Sequence, residues 1–203
     1  MMSSSIVNIL VISAPSGAGK TTLIEQIAQK HRFRYSISHT TRAPREHEKH
    51  GKNYHFVSFE QFDQLRQAGA FLETTYIHGH HYGTAWKNFA SFDRPDEWLL
   101  LDLDVHGLIT LREKIRDIVS VFILPPSIDT LRERILIRQP AISTEELDLR
   151  LSTARKEMEY VFEYDYSIFN TDLQKATSEL SMILQTEQLK NKRNKLFLES
   201  LLY

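Results

Sequence analysis

Residues Val11 to Thr22 read VISAPSGAGKTT and follow the phosphate-loop pattern G-x-x-x-x-G-K-[ST] with one departure, Ala14 at the first glycine position. In such a loop, mid-loop backbone N–H groups and the start of the next helix hold phosphates. Gly17 and Gly19 fall where the backbone must curl and approach oxygen atoms closely. Lys20 would reach the β- and γ-phosphates. The first position only leads out of the strand, so a methyl group at Ala14 leaves the loop able to work.

The residues around this loop have the order that a phosphate loop requires. The apolar run Ile6–Ser13 predicts a buried parallel strand, and Thr21–Lys30 has the spacing of an amphipathic helix. This context favours a nucleoside triphosphate site over the alternative, a purely structural turn. We expect the Thr21 hydroxyl to ligate Mg²⁺ that arrives with the nucleotide. The predicted nucleotide-binding segment is Ala14, Pro15, Ser16, Gly17, Ala18, Gly19, Lys20, Thr21 and Thr22.

Composition excludes several classes of protein. The chain has 203 residues, no cysteine and a formal net charge of -1. The charge argues against nucleic-acid and polybasic membrane binding, and the missing cysteines exclude disulfides, thiolate metal sites and thiol catalysis. No Lys or Arg precedes Lys20 and no apolar run is long enough to span a membrane. We therefore expect a cytoplasmic protein that has no membrane or nucleic-acid partner.

Buried strands recur along the chain with helices between them. The segments WLLLDLD (Trp98–Asp104), IVSVFIL (Ile118–Leu124) and Tyr166–Asn170 predict strands, and a helical pattern separates the first two. This β-α-β order predicts an α/β fold with a parallel sheet and helices on both faces.

Two insertions interrupt this order in a single domain of residues 1–203. The first, about residues 34–94, has short alternating segments and a helix with a capping box at Ser58, which predicts a mixed α/β lobe. The second, about residues 127–162, is helical and rich in arginine. The predicted core comprises about residues 1–33, 95–126 and 163–203.

The chain ends in a long predicted helix and a tail that is first basic and then amphipathic. The favoured interpretation is that the tail leucines pack on the protein itself. The alternative is a contact with a partner or with a second copy, as in a homo-oligomer. The four leucines are Leu196, Leu198, Leu201 and Leu202.

Longer segments are more specific than the loop. The stretches SISHTTRAPREHEKHGKNYHFVS, FLETTYIHGHHYGT, LLLDLDVHG, FILPPS and EYDYSIFN occur in that order between about residues 6 and 172. Together they resemble the guanylate kinase family of P-loop nucleoside monophosphate kinases. The resemblance implies transfer of the γ-phosphate of Mg·ATP to GMP, with GMP bound in the first insertion. Two alternatives remain, a catalytically inactive module that binds phosphopeptides and a related P-loop kinase of sugar phosphates.

The first insertion contains candidate residues for the GMP phosphate. Arg42 and Arg45 stand three apart in a predicted loop, and guanidinium groups suit a phosphate dianion. The resemblance implies that they bind the GMP phosphate with Tyr54 and Tyr82, and that Arg42 is also catalytic. The alternative is a pair of solvated surface arginines.

Glu73 is the candidate for base recognition. It lies in the apolar strand start Phe71–Glu73, where a lone carboxylate needs a partner. Guanine presents N1–H and the 2-amino group side by side as matching donors. The alternative is a strand-edge glutamate that faces solvent. By resemblance, the site also includes Ser38, Gly83 and Thr84.

Two aspartates, Asp102 and Asp104, end a predicted strand at its carboxyl end, where ligands bind in open α/β sheets. We expect Asp102, a catalytic residue, to order metal-bound water or arginines, and Asp104 to contact the GMP side. The alternative is that both are structural caps of the strand.

The resemblance implies that the second insertion is a lid and that three of its arginines, Arg134, Arg138 and Arg150, are catalytic. Lys20 of the phosphate loop is also expected to be catalytic. They would neutralise charge on the transferred phosphoryl group. Arg138 and Asn170 are also expected to bind ATP. Solvated surface arginines are the alternative. No general base is expected, because the attacking GMP oxygen is already anionic.

The chain departs from the family pattern at three places. The lid turn, Arg138 to Ile142, is one residue longer than usual and lacks glycine, and His106 replaces a usual Gln. His81 stands where Tyr is common, within the histidine cluster of residues 78–81. We interpret that cluster as a surface turn, with a metal site as the alternative.

Overall fold

The computed structural model describes residues 8–46, 48–77, 79–89 and 96–202. In this part of the chain the strands are β1 (Asn8–Ser13), β2 (Phe33–Tyr35), β3 (His39–Thr40), β4 (His55–Phe56), β5 (Phe71–Ile77), β6 (His80–Ala85), β7 (Trp98–Asp102), β8 (Ile118–Leu124) and β9 (Tyr166–Phe169). The α-helices are α1 (Lys20–Ile27), α2 (Phe59–Gln67), α3 (Val105–Lys114), α4 (Ile128–Arg138), α5 (Thr144–Glu159), α6 (Leu173–Gln188) and α7 (Lys195–Leu202).

The central sheet has five parallel strands in the order β2-β7-β1-β8-β9. Every residue of β1 is buried, as expected for a strand covered on both faces. The predicted start of this strand, residues 6 and 7, lies outside the described residues. The strand predicted to end at Asp104 ends at Asp102 instead, because the Asp104 side chain caps the next helix by accepting from the Gly107 N–H at 2.7 Å.

Helices cover both faces of this sheet, which confirms the predicted architecture. Leu10 and Ile12 pack in one core cluster with buried residues of α1 and α6. Ile9 and Val11 belong to a second cluster with buried residues of α3. The alternation follows from the two-residue period of a strand. All the carboxyl ends of the strands therefore meet at one edge, where the phosphate loop follows β1.

The first insertion forms its own four-stranded sheet in the order β4-β3-β6-β5. Phe62 of α2 is fully buried and stacks on Phe71 with ring centroids 4.6 Å apart. Ser58 and Gln61 form the predicted capping box at the start of α2. Gly69 follows the helix at a φ of 67°, as the predicted helix end requires. We call this unit, residues 36–89, the lobe.

The second insertion forms a pair of packed helices, α4 and α5. Their contact is apolar and includes Leu131, Ile135, Leu147, Leu151 and Ala154. Ser127 and Ser143 cap the two helices by accepting from backbone N–H groups. In the lid turn, the Ile142 N–H donates to the Gln139 carbonyl at 3.1 Å, so a closed turn forms without glycine. We call residues 127–159 the lid.

The C-terminal region forms two helices, α6 and α7, and the second lies in the predicted amphipathic tail. The segment between them is basic, and its Arg193 side chain is only 3% exposed. Arg193 donates to Asn8 at 2.9 Å and lies 3.4 Å from Asp117 and 3.7 Å from Glu187. These acidic partners hold the segment against the amino end of the sheet.

The predicted packing of the tail leucines is wrong for two of them. Leu201 and Leu202 are 67% and 74% exposed. Leu198 is half-buried. The surroundings of the Leu196 side chain lie outside the described residues.

Candidate active site

The phosphate loop joins β1 to α1 with the backbone that its glycines permit. Gly17 and Gly19 have φ values of 96° and 95°, a left-handed conformation that residues with a Cβ rarely adopt. A Cβ on Gly19 would also lie 2.3 Å from Nδ2 of Asn170. Gly19 precedes the first turn of α1, and no side chain among the described residues caps that turn. Its backbone N–H groups therefore point outward for an anion, as in other phosphate sites at helix starts.

Ala14 leaves this geometry intact. Its side chain packs against the core cluster shared with α1 and α6. The turn closes beyond it, where the Ala18 N–H donates to the Pro15 carbonyl at 3.0 Å. The missing first glycine is thus compatible with a formed loop.

Two side chains from other elements hold the carbonyl of Ala18. Asn170, just after β9, donates to it from Nδ2 at 2.8 Å. Arg134 of α4 donates to it from Nη1 at 3.2 Å, and its Nη2 donates to the Asn170 carbonyl at 3.3 Å. The structure therefore brings Asn170 and one lid arginine against the loop.

Lys20 forms an ion pair with Asp102 at the end of β7. The Tyr35 hydroxyl lies 3.4 Å from the second oxygen of the same carboxylate. Asp104 lies apart from this pair, since it caps α3 and lies 3.4 Å from the Thr75 hydroxyl of β5. The two aspartates thus face different groups, with Asp102 towards the phosphate loop and Asp104 towards the lobe.

A cationic and aromatic cluster lies in the lobe. The Arg42 guanidinium is 5.6 Å from the centre of the Tyr54 ring, and the Tyr54 and Tyr82 rings are 6.0 Å apart. Burial raises the pKa of Tyr54, and the Asp102 carboxylate raises it further. The cluster is therefore close enough to the phosphate-loop side of the site to be affected by Asp102.

Glu48 ties this cluster together, a role that was not predicted from the sequence. Its carboxylate accepts from Arg42 Nη2 at 2.8 Å and from the Arg45 backbone N–H at 2.8 Å. The hydrogen bond to Glu48 raises the pKa of Arg42. The Arg45 side chain is exposed, so the structure brings together Arg42 and the tyrosines but leaves Arg45 at the surface.

Glu73 is buried, with 4% of the residue exposed, so the alternative of a solvent-facing glutamate is wrong. Its Oε1 accepts from the Thr84 backbone N–H at 3.1 Å. Its Oε2 is buried without a hydrogen-bond partner among the described residues. Burial raises the pKa of this carboxyl and Asp104 adds to the rise, whereas Thr84 opposes it. A buried acceptor of this kind matches a ligand that brings its own donors.

Three other lobe residues predicted for GMP are Thr84, Ser38 and Gly83. Thr84 is fully buried on β6, directly opposite Glu73 on β5. Ser38 is half-buried just before β3. A Cβ on Gly83 would lie 3.0 Å from the Phe62 and Phe71 rings, so this glycine is required for packing behind the sheet.

The histidine-rich turn is described only in part. His78 lies outside the described residues, and His81 stacks on Phe62 with ring centroids 5.1 Å apart. No group of three or more potential ligating side chains forms anywhere in the described part of the chain. His106 is exposed and its ring is 5.9 Å from that of Tyr160.

Comparisons with known proteins agree with this geometry. The sequence model described as "Guanylate kinase" matches residues 7–187. The chain is 41% identical to the guanylate kinase of Neisseria gonorrhoeae over 196 residues, which cover 96% of this chain and 95% of that protein. It is 38% identical to the guanylate kinase of Caldanaerobacter subterraneus over 188 residues, covering 92% and 91%. The chain belongs to the guanylate kinase family.

A solved structure extends the guanylate kinase relationship to three dimensions. The crystal structure of guanylate kinase from Anaplasma phagocytophilum superimposes with a TM-score of 0.74 and 35% sequence identity. The match covers 95% of this chain and 92% of that structure. The α/β fold with its parallel sheet is therefore that of a guanylate kinase.

Two of the lid arginines expected from the guanylate kinase resemblance lie away from the loop contacts. Arg138 ends α4 and is exposed. Arg150 of α5 pairs with Glu146 one turn earlier at 2.6 Å. Of the three, only Arg134 contacts the phosphate loop. A role for the other two in phosphoryl transfer requires the lid to move.

Proposed function

We propose that this chain transfers the γ-phosphate of Mg·ATP to GMP and gives ADP and GDP. The observation that carries the proposal is the buried Glu73, whose Oε2 has no partner among the described residues. It lies in the same lobe as the cluster of Arg42, Tyr54 and Tyr82. A carboxylate acceptor and a cationic phosphate site in one lobe suit guanine and its 5′-phosphate together.

On the acceptor side, Glu73 Oε2 accepts from guanine N1–H and N2, while Thr84 keeps Oε1 oriented. Arg42 and the two tyrosine hydroxyls bind the phosphate, and Glu48 holds Arg42 in place. We assign Ser38 and Thr84 to contacts near the base. Arg45 joins the phosphate site only if its exposed side chain swings inward.

On the donor side, the backbone of residues 14–19 and the start of α1 cradle the ATP phosphates, and Lys20 binds the β- and γ-phosphates. The residues present fit Mg²⁺, since Thr21 offers a hydroxyl in the first turn of α1 and Asp102 offers a carboxylate nearby. The described residues contain no group of three or more potential ligating side chains, so nucleotide phosphates would supply most of the oxygens. When bound, Mg²⁺ neutralises charge on the phosphates.

The transfer itself requires positioning and positive charge. Lys20 and Arg134 are at the loop, and lid closure would add Arg138 and Arg150 to the transferred phosphoryl group. The attacking GMP oxygen is already anionic, so the site needs no general base. Closure of lobe and lid excludes water, which would otherwise hydrolyse ATP.

The two alternatives have weaker support. An inactive phosphopeptide-binding module would have no need of the formed phosphate loop with Lys20. A sugar-phosphate kinase would have no use for the buried carboxylate of Glu73.

No helix in the described residues could cross a membrane. The cytoplasmic location and the homo-oligomer remain predictions.

A coupled assay of ADP release with GMP, AMP, CMP and ribose bisphosphate tests the proposal. GMP should be strongly preferred. Lys20→Ala should lower kcat about 10³-fold, the size of other transition-state charge contacts. Lys30→Ala is the matched control, because Lys30 is exposed beyond the end of α1. Near-normal turnover by Lys20→Ala, or equal use of all acceptors, would refute the proposal.

A further inference from the structure

The lobe joins the core through two crossings of the chain that lie side by side. The first crossing is at Ser36, directly after β2, and the second is at the short 3₁₀-helix Trp86–Phe89 that follows β6. Ser36 is attached to the core sheet, since its backbone N–H donates to the Leu100 carbonyl at 2.8 Å. Phe89 packs against the core cluster that includes α3. A movement of the lobe relative to the core must therefore bend the chain at these two crossings.

One side chain connects the crossings. Asn88, at the second crossing, donates from Nδ2 to the Ser36 hydroxyl at 2.8 Å and to the Ile37 carbonyl at 3.2 Å. Ser36 is only 3% exposed and Asn88 is half-buried, so water competes little for these hydrogen bonds. Asn88 belongs to none of the motifs from which the nucleotide-binding residues were predicted. We call these two hydrogen bonds the clamp.

The segment that starts at the clamp carries proposed ligands for both ends of GMP. Ser38, next to Ile37, is assigned near the base, and Arg42 follows β3 at the phosphate site. The strand between them, β3, has only two residues, and its neighbour β4 is equally short. Such short strands have few backbone hydrogen bonds to fix their position. The two hydrogen bonds from Asn88 therefore form a large part of what holds this segment at its start.

We propose that Asn88 is a positioning residue for GMP, because the clamp holds the start of β3 so that Ser38 and Arg42 are arranged before the nucleotide binds. Without the clamp, GMP has to order this segment itself, and part of its binding free energy is lost to that ordering. Once GMP is bound, its own contacts hold the segment. The clamp therefore acts on the affinity for GMP more than on turnover at saturation, and it leaves the phosphate loop of the core unaffected.

This inference rests on the proposed GMP site, and binding measurements separate the two. Calorimetric titration gives the Kd for GMP and, as an internal reference, the Kd for Mg·ADP. Asn88→Ala should raise the Kd for GMP about 5- to 10-fold, the effect of losing two modest hydrogen bonds, and leave the Kd for Mg·ADP unchanged. In the coupled assay, the KM for GMP should rise by a similar factor, with kcat within about 2-fold of the wild type.

Gln61→Ala is the matched control. This exposed amide side chain of the same lobe also binds a backbone group, the Ser58 N–H at 2.9 Å, but at the start of α2 and away from the crossings. Gln61→Ala should lower the melting temperature and leave the Kd for GMP unchanged.

Ser36→Ala removes one of the two hydrogen bonds of the clamp. It should raise the Kd for GMP about 2- to 3-fold, and it should add nothing further when combined with Asn88→Ala. This variant decides the test if Asn88→Ala folds poorly.

The outcomes are distinct. An unchanged Kd for GMP in Asn88→Ala, or an equal loss of GMP and Mg·ADP binding, overturns the role of Asn88. If the wild type does not bind GMP at all, the proposed function is overturned instead. A merely structural role would lower the melting temperature, as in Gln61→Ala, and leave the KM for GMP unchanged.

Discussion

Replacing Glu73 with glutamine should weaken the preference for GMP and stabilise the protein. The substitution keeps the shape of the side chain but turns one carboxylate oxygen into an NH₂ donor. The Thr84 backbone N–H, which donates to Glu73 Oε1 at 3.1 Å, still needs an acceptor and takes the remaining amide oxygen. The NH₂ group of the glutamine therefore faces guanine. Guanine then loses a charge-assisted hydrogen bond worth about 1.5–3 kcal/mol, so kcat/KM for GMP should fall about 10- to 150-fold. Adenine N1 accepts from an amide, so activity with AMP should become detectable.

The same substitution should stabilise the protein at neutral and basic pH. Burial raises the pKa of Glu73, so the folded protein binds this proton more tightly than the unfolded chain does. The free energy of unfolding therefore decreases as the pH rises above the ordinary carboxyl pKa. An amide has no such dependence. The melting temperature of Glu73→Gln relative to the wild type should rise between about pH 5 and pH 8.

Coupled assays of ADP release with GMP and AMP, and thermal melts at both pH values, measure these effects. Glu60→Gln is the matched control, because Glu60 is an exposed glutamate of the same lobe. Arg42→Ala should weaken GMP and AMP equally, since a phosphate ligand does not distinguish bases. If Glu73→Gln keeps the wild-type preference for GMP, Glu73 does not read the base.

Three further predictions concern the lid, a buried histidine and the phosphate loop. Arg138→Ala and Arg150→Ala should lower kcat strongly and leave the Kd for GMP nearly unchanged. A large loss of GMP binding would show that these arginines were assigned to the wrong site. Burial and the neighbouring His55 lower the pKa of His39 to about 4 from 6.5. The unfolded chain therefore binds more protons below about pH 6.5, and up to ~3 kcal/mol of stability should be lost towards pH 4. Urea unfolding should show this loss in the wild type and not in His39→Gln. Gly19→Ala should abolish Mg·ADP binding, because the new Cβ would overlap Nδ2 of Asn170. Gly51→Ala has a φ of 75° but open space around it, so it should only strain the local backbone.

The sheet could be predicted because its strands are short apolar runs that are separated by less apolar sequence. Ile118–Leu124 was predicted with the bounds that the structure has, since all its side chains but the last are buried. The strand ending at Asp102 was predicted two residues too long. An aspartate near a strand end serves equally as a strand residue or as the cap of the following helix, and the composition of the segment does not distinguish the two.

The C-terminal region shows where sequence patterns fail. Arg193 lies 185 residues from Asn8 along the chain, yet the two side chains are 2.9 Å apart. No pattern near the basic segment in the sequence indicates its acidic partners, which are Glu187 on α6 and Asp117 before β8. The ion pairs that hold the basic segment of the tail therefore could not be foreseen from the sequence.

The candidate site divides along the same line. Lys20, Glu73 and Asn170 belong to motifs whose spacing is local, and the structure brings each to the expected side of the site. Glu48 acts through a partner that only the fold brings near, and it was not predicted. Local motifs thus predict the groups that we propose to bind nucleotides, because ligand chemistry restricts residue type. The groups that orient them are restricted only by distance and charge, so a single sequence leaves them hidden until the chain is folded.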